Sequence, residues 1–356
     1  MLKKLKNMSD TNLLLTITIV VFFLMYLGAI IFQGQGFLKP QTFCNILNAN
    51  AYLIILSCAL SIVMINGSID ISVGGVTALV CMCSAVYLDV KGGNVVVSML
   101  IALGIGLAFG VVQGYLVAYL EIQPFIVTLA GMFFARGMTT IVSERAKEFV
   151  EAHDLSKDLV PPFNVTNASF TALKNTRIEI PFLGSLNKRG EFVPAYIEIG
   201  VLVALAVVII LFFVLRWTKL GRSFYAVGGN TQSALMLGIN VKKTKFLAHV
   251  IAGLLAGIGG YVYFLFVGSC SPSHASGAEM NAIASSIIGG TMLTGGVGNI
   301  VGTFFGVLTL STIQNIVRSA GLDQAWWTGI TIAAMLCLFL VVQSVVMARK
   351  KKGIKK

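Results

Sequence analysis

The sequence is poor in charge: only 11% of its 356 residues are Asp, Glu, Lys or Arg, whereas 56% are hydrophobic. So few charged residues cannot cover the surface of a soluble domain of this length, and the composition excludes one. The six cysteines fall mostly inside or beside apolar segments and lack the paired spacing of zinc ligands. They indicate small packing residues, not a metal site.

Signatures of enzymes are also missing. The sequence contains no G-x-x-x-x-G-K-[ST] segment, so the chain cannot by itself hold the phosphates of ATP. The pair Gly104 and Gly106 lacks the remaining glycine and the strand of a dinucleotide site. His153, His249 and His274 are too dispersed for a metal triad. We therefore expect no catalytic residue and no cofactor, and any pumping needs an external source of energy.

Apolar segments occupy most of the chain. About 20 apolar residues are what a helix needs to cross ~30 Å of hydrocarbon. The sequence therefore predicts an all-α polytopic membrane protein, with one transmembrane domain over residues 1–356. The ten predicted spans are residues 13–32, 45–65, 71–88, 95–120, 124–143, 199–216, 246–267, 282–296, 299–318 and 326–347.

The net charge of +12 comes largely from cations at the two ends and in one internal segment. Positive charges flank spans on the cytoplasmic side, so both termini are predicted to be cytoplasmic, which agrees with ten crossings. Residues 217–245 are then cytoplasmic and basic. Residues 144–198 are extracytoplasmic, with nearly balanced charges and prolines that interrupt regular structure.

Nucleic acid is not an expected partner, because no folded soluble surface is left to bind it. The terminal cations include Lys3, Lys4, Lys6, Lys355 and Lys356.

Glycines recur every four residues in three of the predicted spans. Such stripes allow helix backbones to approach closely in lipid, where no hydrophobic force drives helices together. They indicate packing within one subunit, and a dimer interface is the alternative. The stripes are Gly106, Gly110 and Gly114; Gly253 and Gly257; and Gly298, Gly302 and Gly306.

Polar residues interrupt the apolar sequence near residue 70. Asp70 is the only carboxylate between residues 53 and 87, and a charge at bilayer depth must face protein, water or a helix N-terminus. Asp70 and Ser72 are candidates either to cap a helix that begins after Gly67 or to line a solute path. Asn66 and Ser68 complete this candidate path segment.

A second glycine-rich interruption follows at residues 288–300. Paired interruptions in the two halves of a transporter indicate discontinuous helices around a central site. Thr291, Thr294 and Asn299 are therefore further candidates for the translocation path. Glu279 and Asn281 precede this interruption and are interpreted either as interfacial helix caps or as part of an outward gate.

Three ordered motifs resemble the signatures of permease subunits of ribose-type sugar ABC importers. They are NGSIDISVGG at residues 66–75, GRSFYAVGGN at residues 221–230 and IASSIIGGT at residues 283–291. The resemblance covers nearly the whole chain. Residues 124–136, Phe43 to Asn45 and Trp326 to Thr328 are most similar to the galactofuranose-type branch.

The resemblance implies a type II ABC importer fold in a bacterial inner membrane. It implies translocation of a monosaccharide that an extracytoplasmic binding protein delivers. It also implies a second permease subunit, identical or homologous, and two ATP-binding cassette domains or one fused ATPase. The ATPase would dock on a short helix within residues 221–240, where the candidate coupling residues are Gly221, Gly228, Gly229, Asn230, Gly238 and Ile239.

Two features depart from that family, and two other functions stay open. Asn66 and Ser68 replace the threonine and glycine that the family usually has, and residues 144–198 form a longer outer loop. A permease for nucleosides or branched-chain amino acids would share the architecture. An ion-coupled secondary transporter is a further alternative, against which the scarcity of intramembrane carboxylates counts.

Overall fold

The computed structural model of the chain describes residues 10–33, 35–186, 191–322 and 324–354. Fourteen α-helices and four short strands lie within those ranges. The terminal cations at residues 3, 4, 6, 355 and 356, on which the predicted orientation partly rests, lie outside the described residues. The helices are α1 Asp10–Gln33, α2 Gln35–Leu38, α3 Pro40–Ile65, α4 Val73–Ala85, α5 Val95–Ala118, α6 Pro124–Ala152, α7 Ala168–Lys174, α8 Ile199–Trp217, α9 Lys219–Gly229, α10 Thr231–Met236, α11 Val241–Val267, α12 Ala278–Ile288, α13 Ile300–Ser319 and α14 Ala325–Ile354. The strands are β1 Phe163–Asn164, β2 Arg177–Leu186, β3 Phe192–Glu198 and β4 Ser269–Cys270.

Nine helices in the described part of the chain are long and apolar enough to cross a membrane. They are α1, α3, α4 with its π-helical continuation to Val90, α5, α6, α8, α11, α13 and α14. Their bounds agree with nine of the predicted spans to within about five residues, except that α6 and α14 extend further. The prediction of a helical multi-pass membrane protein is confirmed.

The tenth predicted span, at residues 282–296, is wrong as a continuous helix. The helix α12 ends at Ile288, and residues 289–299 are not helical. Gly290, Gly295 and Gly296 have φ values of +89°, +84° and +72°. Glycine adopts this left-handed region without strain, and a right-handed helix cannot continue through it. The chain here consists of a short helix followed by a non-helical segment.

The helices α3 and α4 form the centre of the bundle. Every residue from 53 to 65 in α3 is buried, as are all residues of α4 except Cys83. A helix that is apolar on all sides is stable only when other protein surrounds it or when it faces lipid. Here α8, α11, α12 and α13 pack against α3, whereas α5, α6 and α11 pack against α4.

The predicted glycine stripes are contact surfaces within the chain. A methyl group added to Gly110 of α5 would lie 2.7 Å from the carbonyl oxygen of His249 in α11. One added to Gly253 of α11 would lie 2.5 Å from the Gly110 Cα. In α13, a methyl group on Gly306 would lie 2.7 Å from the backbone nitrogen of Gly289. The stripes therefore pack α5 on α11 and α13 on the α12 segment, as the interpretation of packing within one subunit predicts.

The bundle has two distinct ends. The short-helix end carries α9 and α10, and the hairpin end carries the antiparallel β2–β3 hairpin and the β1–β4 pair. Tyr196 N donates to Gln41 Oε1 at 2.9 Å and Glu198 N donates to Asn48 Oδ1 at 2.9 Å, which fixes the hairpin to α3.

Residues 144–198 are more regular than predicted. They contain the last turns of α6, the helix α7 and the hairpin. Pro181 and Pro194 lie within the two strands, although prolines were expected to interrupt regular structure there. A two-stranded sheet consists only of edge strands, so a residue without an N–H can face away from the partner strand. The register shift between Ile180 and Gly184 marks the same irregularity.

Candidate functional site

Two non-helical breaks interrupt the buried centre of the bundle. The first break is residues 66–72, between α3 and α4, and the second break is residues 289–299, between α12 and α13. Gly67 has a φ of +82°, which ends α3. Asn299 begins α13, since its Oδ1 accepts a hydrogen bond from Val301 N at 2.8 Å. Both predicted interruptions are therefore real discontinuities of buried helices.

The two breaks meet at the C-terminal end of α9. Gly296 N donates to the carbonyl oxygen of Ile65 at 2.8 Å, which joins the second break to the end of α3. A methyl group on Gly295 would lie 2.6 Å from Gly228 O and 2.9 Å from Gly67 Cα. One added to Gly228 would overlap the carbonyl oxygen of Ile65. We call Gly67, Gly228, Gly295 and Gly296 the glycine junction, because a methyl group on any of the last three would clash with backbone atoms and Gly67 has a positive φ.

Tyr225 of α9 reinforces the glycine junction. Its hydroxyl donates to the carbonyl oxygen of Gly298 in the second break at 2.9 Å. Burial raises the pKa of Tyr225 to about 12. The hydroxyl therefore stays protonated at physiological pH and keeps its proton for this hydrogen bond.

Asp70 holds the start of α4 without being its N-cap residue. The N-cap is Ser72, whose own side chain makes no capping bond to the helix. Asp70 Oδ1 accepts from Ser72 N at 2.8 Å and from Ser72 Oγ at 2.6 Å. Ser72 Oγ also lies 3.2 Å from Gln113 Oε1 of α5. The carboxylate thus fixes the residue before the helix, which is a variant of the predicted capping role.

Hydroxyl groups link α3 to the second break and to α13. Ser61 Oγ lies 2.6 Å from Thr303 Oγ1 and 3.4 Å from Thr291 Oγ1. Ser286 Oγ of α12 donates to the carbonyl oxygen of Ser57 at 3.0 Å. All of these side chains are buried. Thr291 therefore belongs to a hydrogen-bonded cluster between helices, alongside residues that the sequence did not single out.

The seven candidate path residues divide by exposure. Five of them are buried in the single chain: Asn66, Ser68, Asp70, Ser72 and Thr291. Asn299 is partly buried as the cap of α13, and Thr294 is exposed. Within the described part of the chain, neither polar side-chain atom of Asn66 has a hydrogen-bond partner. The structure brings the residues into the two breaks that the glycine junction connects, and their role in translocation stays a prediction.

The candidate coupling residues serve different purposes. Gly221 lies where α9 turns back on α8: a methyl group there would overlap the end of α8, and its N–H donates to Thr218 Oγ1. Asn230 caps α10, because its Oδ1 accepts from Ser233 N at 2.9 Å.

Gly228 belongs to the glycine junction, whereas Gly229 is exposed beside it. Gly238 has a φ of +77° and ends α10 in open space, next to the partly buried Ile239. The segment forms two short helices where one was predicted.

Exposed apolar side chains mark the tip of α10. Leu235, Met236 and Leu237 are 57%, 87% and 78% exposed. They adjoin a groove of about 770 Å³ between α10 and the turn from α5 to α6. An ion pair between Lys242 Nζ and Glu121 Oε1, at 3.0 Å, spans this groove. Contiguous exposed apolar residues on a basic segment are typical of a protein-binding surface, which the sequence motif alone did not locate.

The chain matches, over residues 42–340, the family described as the permease component of branched-chain amino acid transport systems. It is 35% identical to the inner membrane ABC transporter permease protein YjfF of Escherichia coli K12, over 94% of this chain and 93% of the relative. The fructose import permease protein FruG of Bifidobacterium longum is 32% identical, over 95% of this chain and 93% of the relative. The ribose import permease protein RbsC of Escherichia coli K12 is 30% identical, over 86% of this chain and 87% of the relative. No solved structure matches the chain.

These alignments span most of the chain, including the two breaks and the segment of α9 and α10. The resemblance inferred from three motifs is thereby confirmed, and the helical spans agree with it. The chain therefore belongs to the branched-chain amino acid transport system permease family, as a multi-pass membrane permease of the ABC-transporter type.

Proposed function

We propose that this chain is the permease subunit of an ABC importer that translocates a monosaccharide. Relatives that align along most of its length are named for fructose, ribose and xylose transport. The sugar would come from an extracytoplasmic binding protein that docks at the hairpin end. The permease domain would comprise residues 1–356 of a bacterial inner-membrane protein.

Energy for import would come from partner subunits. The short-helix end would face the cytoplasm, together with both termini, and would bind two ATP-binding cassette domains or one fused ATPase. The basic character of residues 217–245 supports this orientation. A second permease, identical or homologous, would complete the complex.

The glycine junction is the observation that carries this proposal. It places the end of α9 in backbone contact with both breaks, and α9 leads directly into the exposed tip of α10. A displacement of the tip by an ATPase would therefore reach the interior of the permease through packed backbone, without a flexible side chain between them. Close-packed interiors transmit such displacements because they deform little.

Replacing Met236 with Asp is expected to uncouple the ATPase. A charge at this 87% exposed position would have to be desolvated in an apolar contact. The measurement is co-purification of the ATPase and transport-dependent ATP hydrolysis, both expected to fall at least tenfold. Met236→Leu keeps the apolar surface and is the matched control. Wild-type levels in the Asp variant would place the docking surface elsewhere.

The proposed function is tested by uptake in cells that lack other importers. The chain is expressed with candidate ATPase and binding-protein subunits from its own genome, and the cells receive radiolabelled ribose, fructose, xylose, galactose, leucine and adenosine in turn. Accumulation of a sugar is expected only when all components are present. Uptake of leucine or adenosine instead would favour the alternative substrates. Accumulation driven by an ion gradient with the purified chain alone would identify a secondary transporter.

A further inference from the structure

The segment between α11 and α12 enters the bundle deeply. Arg136 of α6 donates to the carbonyl oxygens of His274 at 2.6 Å and Ala275 at 2.9 Å. In the sequence Arg136 lies twelve residues after Pro124, where α6 begins, and eight before Glu144, where its apolar part ends. At 1.5 Å per residue, that is near the middle of the apolar part of α6. Residues 271–277 therefore reach the central depth of the predicted membrane region.

Glu279 lies at the same depth. A methyl group added to Gly74 of α4 would overlap its Oε2. A methyl group added to the neighbouring Gly75 would lie 2.9 Å from Met132 O and 3.2 Å from Ala135 Cβ in α6. Met132 and Ala135 lie four residues and one residue before Arg136 in α6, which is within about 6 Å along the helix axis. Two separate sets of contacts thus put a carboxylate and a guanidinium at mid-depth.

The Glu279 carboxylate is not explained as a helix cap. Gly277 occupies the N-cap position of α12, and no side chain caps this helix. The residue Glu279 is only 9% exposed, and within the described part of the chain its Oε2 has no hydrogen-bond partner. A favourable helix dipole compensates only in part for a buried charge without a partner. The interpretation of Glu279 as an interfacial cap is therefore wrong, and its Oε2 can accept a hydrogen bond that none of the described residues donates.

The neighbouring surface is partly open and carries both apolar and polar side chains. Met280, the next residue, is 55% exposed, and Ser273 is exposed as well. His274 Nδ1 is a second buried atom that, among the described residues, lacks a partner. A carboxylate at mid-depth is too costly to face lipid, so the side of α12 that carries Glu279 must border protein, water or substrate.

We propose that Glu279 and Arg136 form a sugar-binding constriction of the translocation path, with Glu279 accepting hydrogen bonds from sugar hydroxyl groups. This inference rests on the proposed function. A carboxylate accepts hydrogen bonds from hydroxyl groups, and the guanidinium has five N–H donors, of which the two bonds to residues 274 and 275 use two. Neutral solutes that offer both donors and acceptors, as sugars do, complement this pair. Gly74 provides the space that the carboxylate occupies.

Glu279→Gln tests the role of the charge in the complete importer. The variant keeps the size of the side chain and loses the acceptor strength of a carboxylate. With the best-transported sugar of the panel as the probe, KM is expected to rise at least tenfold, and the preference among the sugars is expected to change. Glu148→Gln makes the same substitution at an exposed position of α6 and should leave KM unchanged. A wild-type KM and sugar preference in Glu279→Gln would overturn the proposal.

Thiol labelling tests the site without relying on the fold of a Glu279 variant. Met280→Cys is made in a Cys337→Ser background, because Cys337 is the exposed native cysteine in the described part of the chain. A membrane-impermeant, charged thiol reagent is expected to label Met280→Cys, and the transported sugar together with its binding protein should slow labelling at least threefold. Cys337 of the wild type, on the apolar surface of α14, serves as the control and should react much more slowly.

The outcomes separate this inference from the proposed function. Labelling at position 280 no faster than at Cys337 would show that the face is covered by lipid or by a second subunit and would overturn the constriction. Failure of the wild type to accumulate any sugar would overturn both the proposed function and the sugar specificity of the site. Rapid labelling in that case would still identify a hydrated path, for a different solute.

Discussion

Gly228→Ala is expected to abolish transport, whereas Gly229→Ala is expected to leave it nearly unchanged. A methyl group on Gly228 would overlap the carbonyl oxygen of Ile65 and lie 2.8 Å from the backbone nitrogen of Gly296. Backbone atoms cannot rotate away as side chains do, so the segments must separate, and such overpacking typically costs ~1–3 kcal/mol. Separation would also break the hydrogen bond from Gly296 to Ile65.

Gly229 provides the matched control for this experiment. Its added methyl group would meet only Gly296 Cα, at an ordinary contact distance of 3.9 Å. The measurement is the rate of sugar uptake by each variant, normalised to the amount of chain in the membrane and accompanied by co-purification of the ATPase. Equal uptake by both variants would contradict the assignment of Gly228 to a tightly packed junction.

Asp70→Leu is expected to reduce the amount of folded protein and its transport severely, and Asp70→Asn to retain most of both. Asp70 Oδ1 accepts two hydrogen bonds from Ser72. An amide oxygen can replace that acceptor, whereas leucine leaves buried donors without a partner, and each unsatisfied group costs ~1–3 kcal/mol. Ser72→Ala removes only the hydroxyl and should have an intermediate effect. The measurements are expression level, thermal stability in detergent and sugar uptake.

The Asp70 series also separates its two possible roles. If the carboxylate only fixes the start of α4, stability and uptake should fall together across the three variants. If it also lines the path, Asp70→Asn should lower uptake at unchanged stability. Normal stability and uptake in Asp70→Leu would contradict both roles.

Some features of the site were readable as residue patterns, and others were not. Asn66-Gly67 and Gly289-Gly290 predicted the breaks, because glycine within an apolar segment indicates an interrupted helix whatever segment packs against it. The length of α12 could not be predicted, since the turn at Gly295 and Gly296 depends on their fit against Ile65 and Gly228. Glu279 was assigned to an interface from its position in sequence, but contact with Gly74 puts it at mid-depth.

The assignments of coupling residues illustrate the same limit. The motif at residues 221–230 grouped Gly221, Gly228 and Gly229 together. In the structure Gly221 packs on the end of α8, Gly228 packs on Ile65, and Gly229 is exposed. The three glycines of this motif therefore have different roles, because each role depends on which segment of the chain packs against the glycine. The exposed tip at residues 235–237 carries no motif and became visible only from its surroundings.

The sequence by itself determined the class of protein, the approximate bounds of nine of the ten predicted spans, the places of the two breaks and the family. These follow from local properties: apolar length, glycine content, charge and short motifs. Only the tertiary structure decided that the two breaks and α9 meet at the glycine junction, and that Glu279 is buried beside Gly74 with its Oε2 lacking a hydrogen-bond partner among the described residues. Each of these depends on contacts between residues far apart in the chain, about which a single sequence carries no local signal.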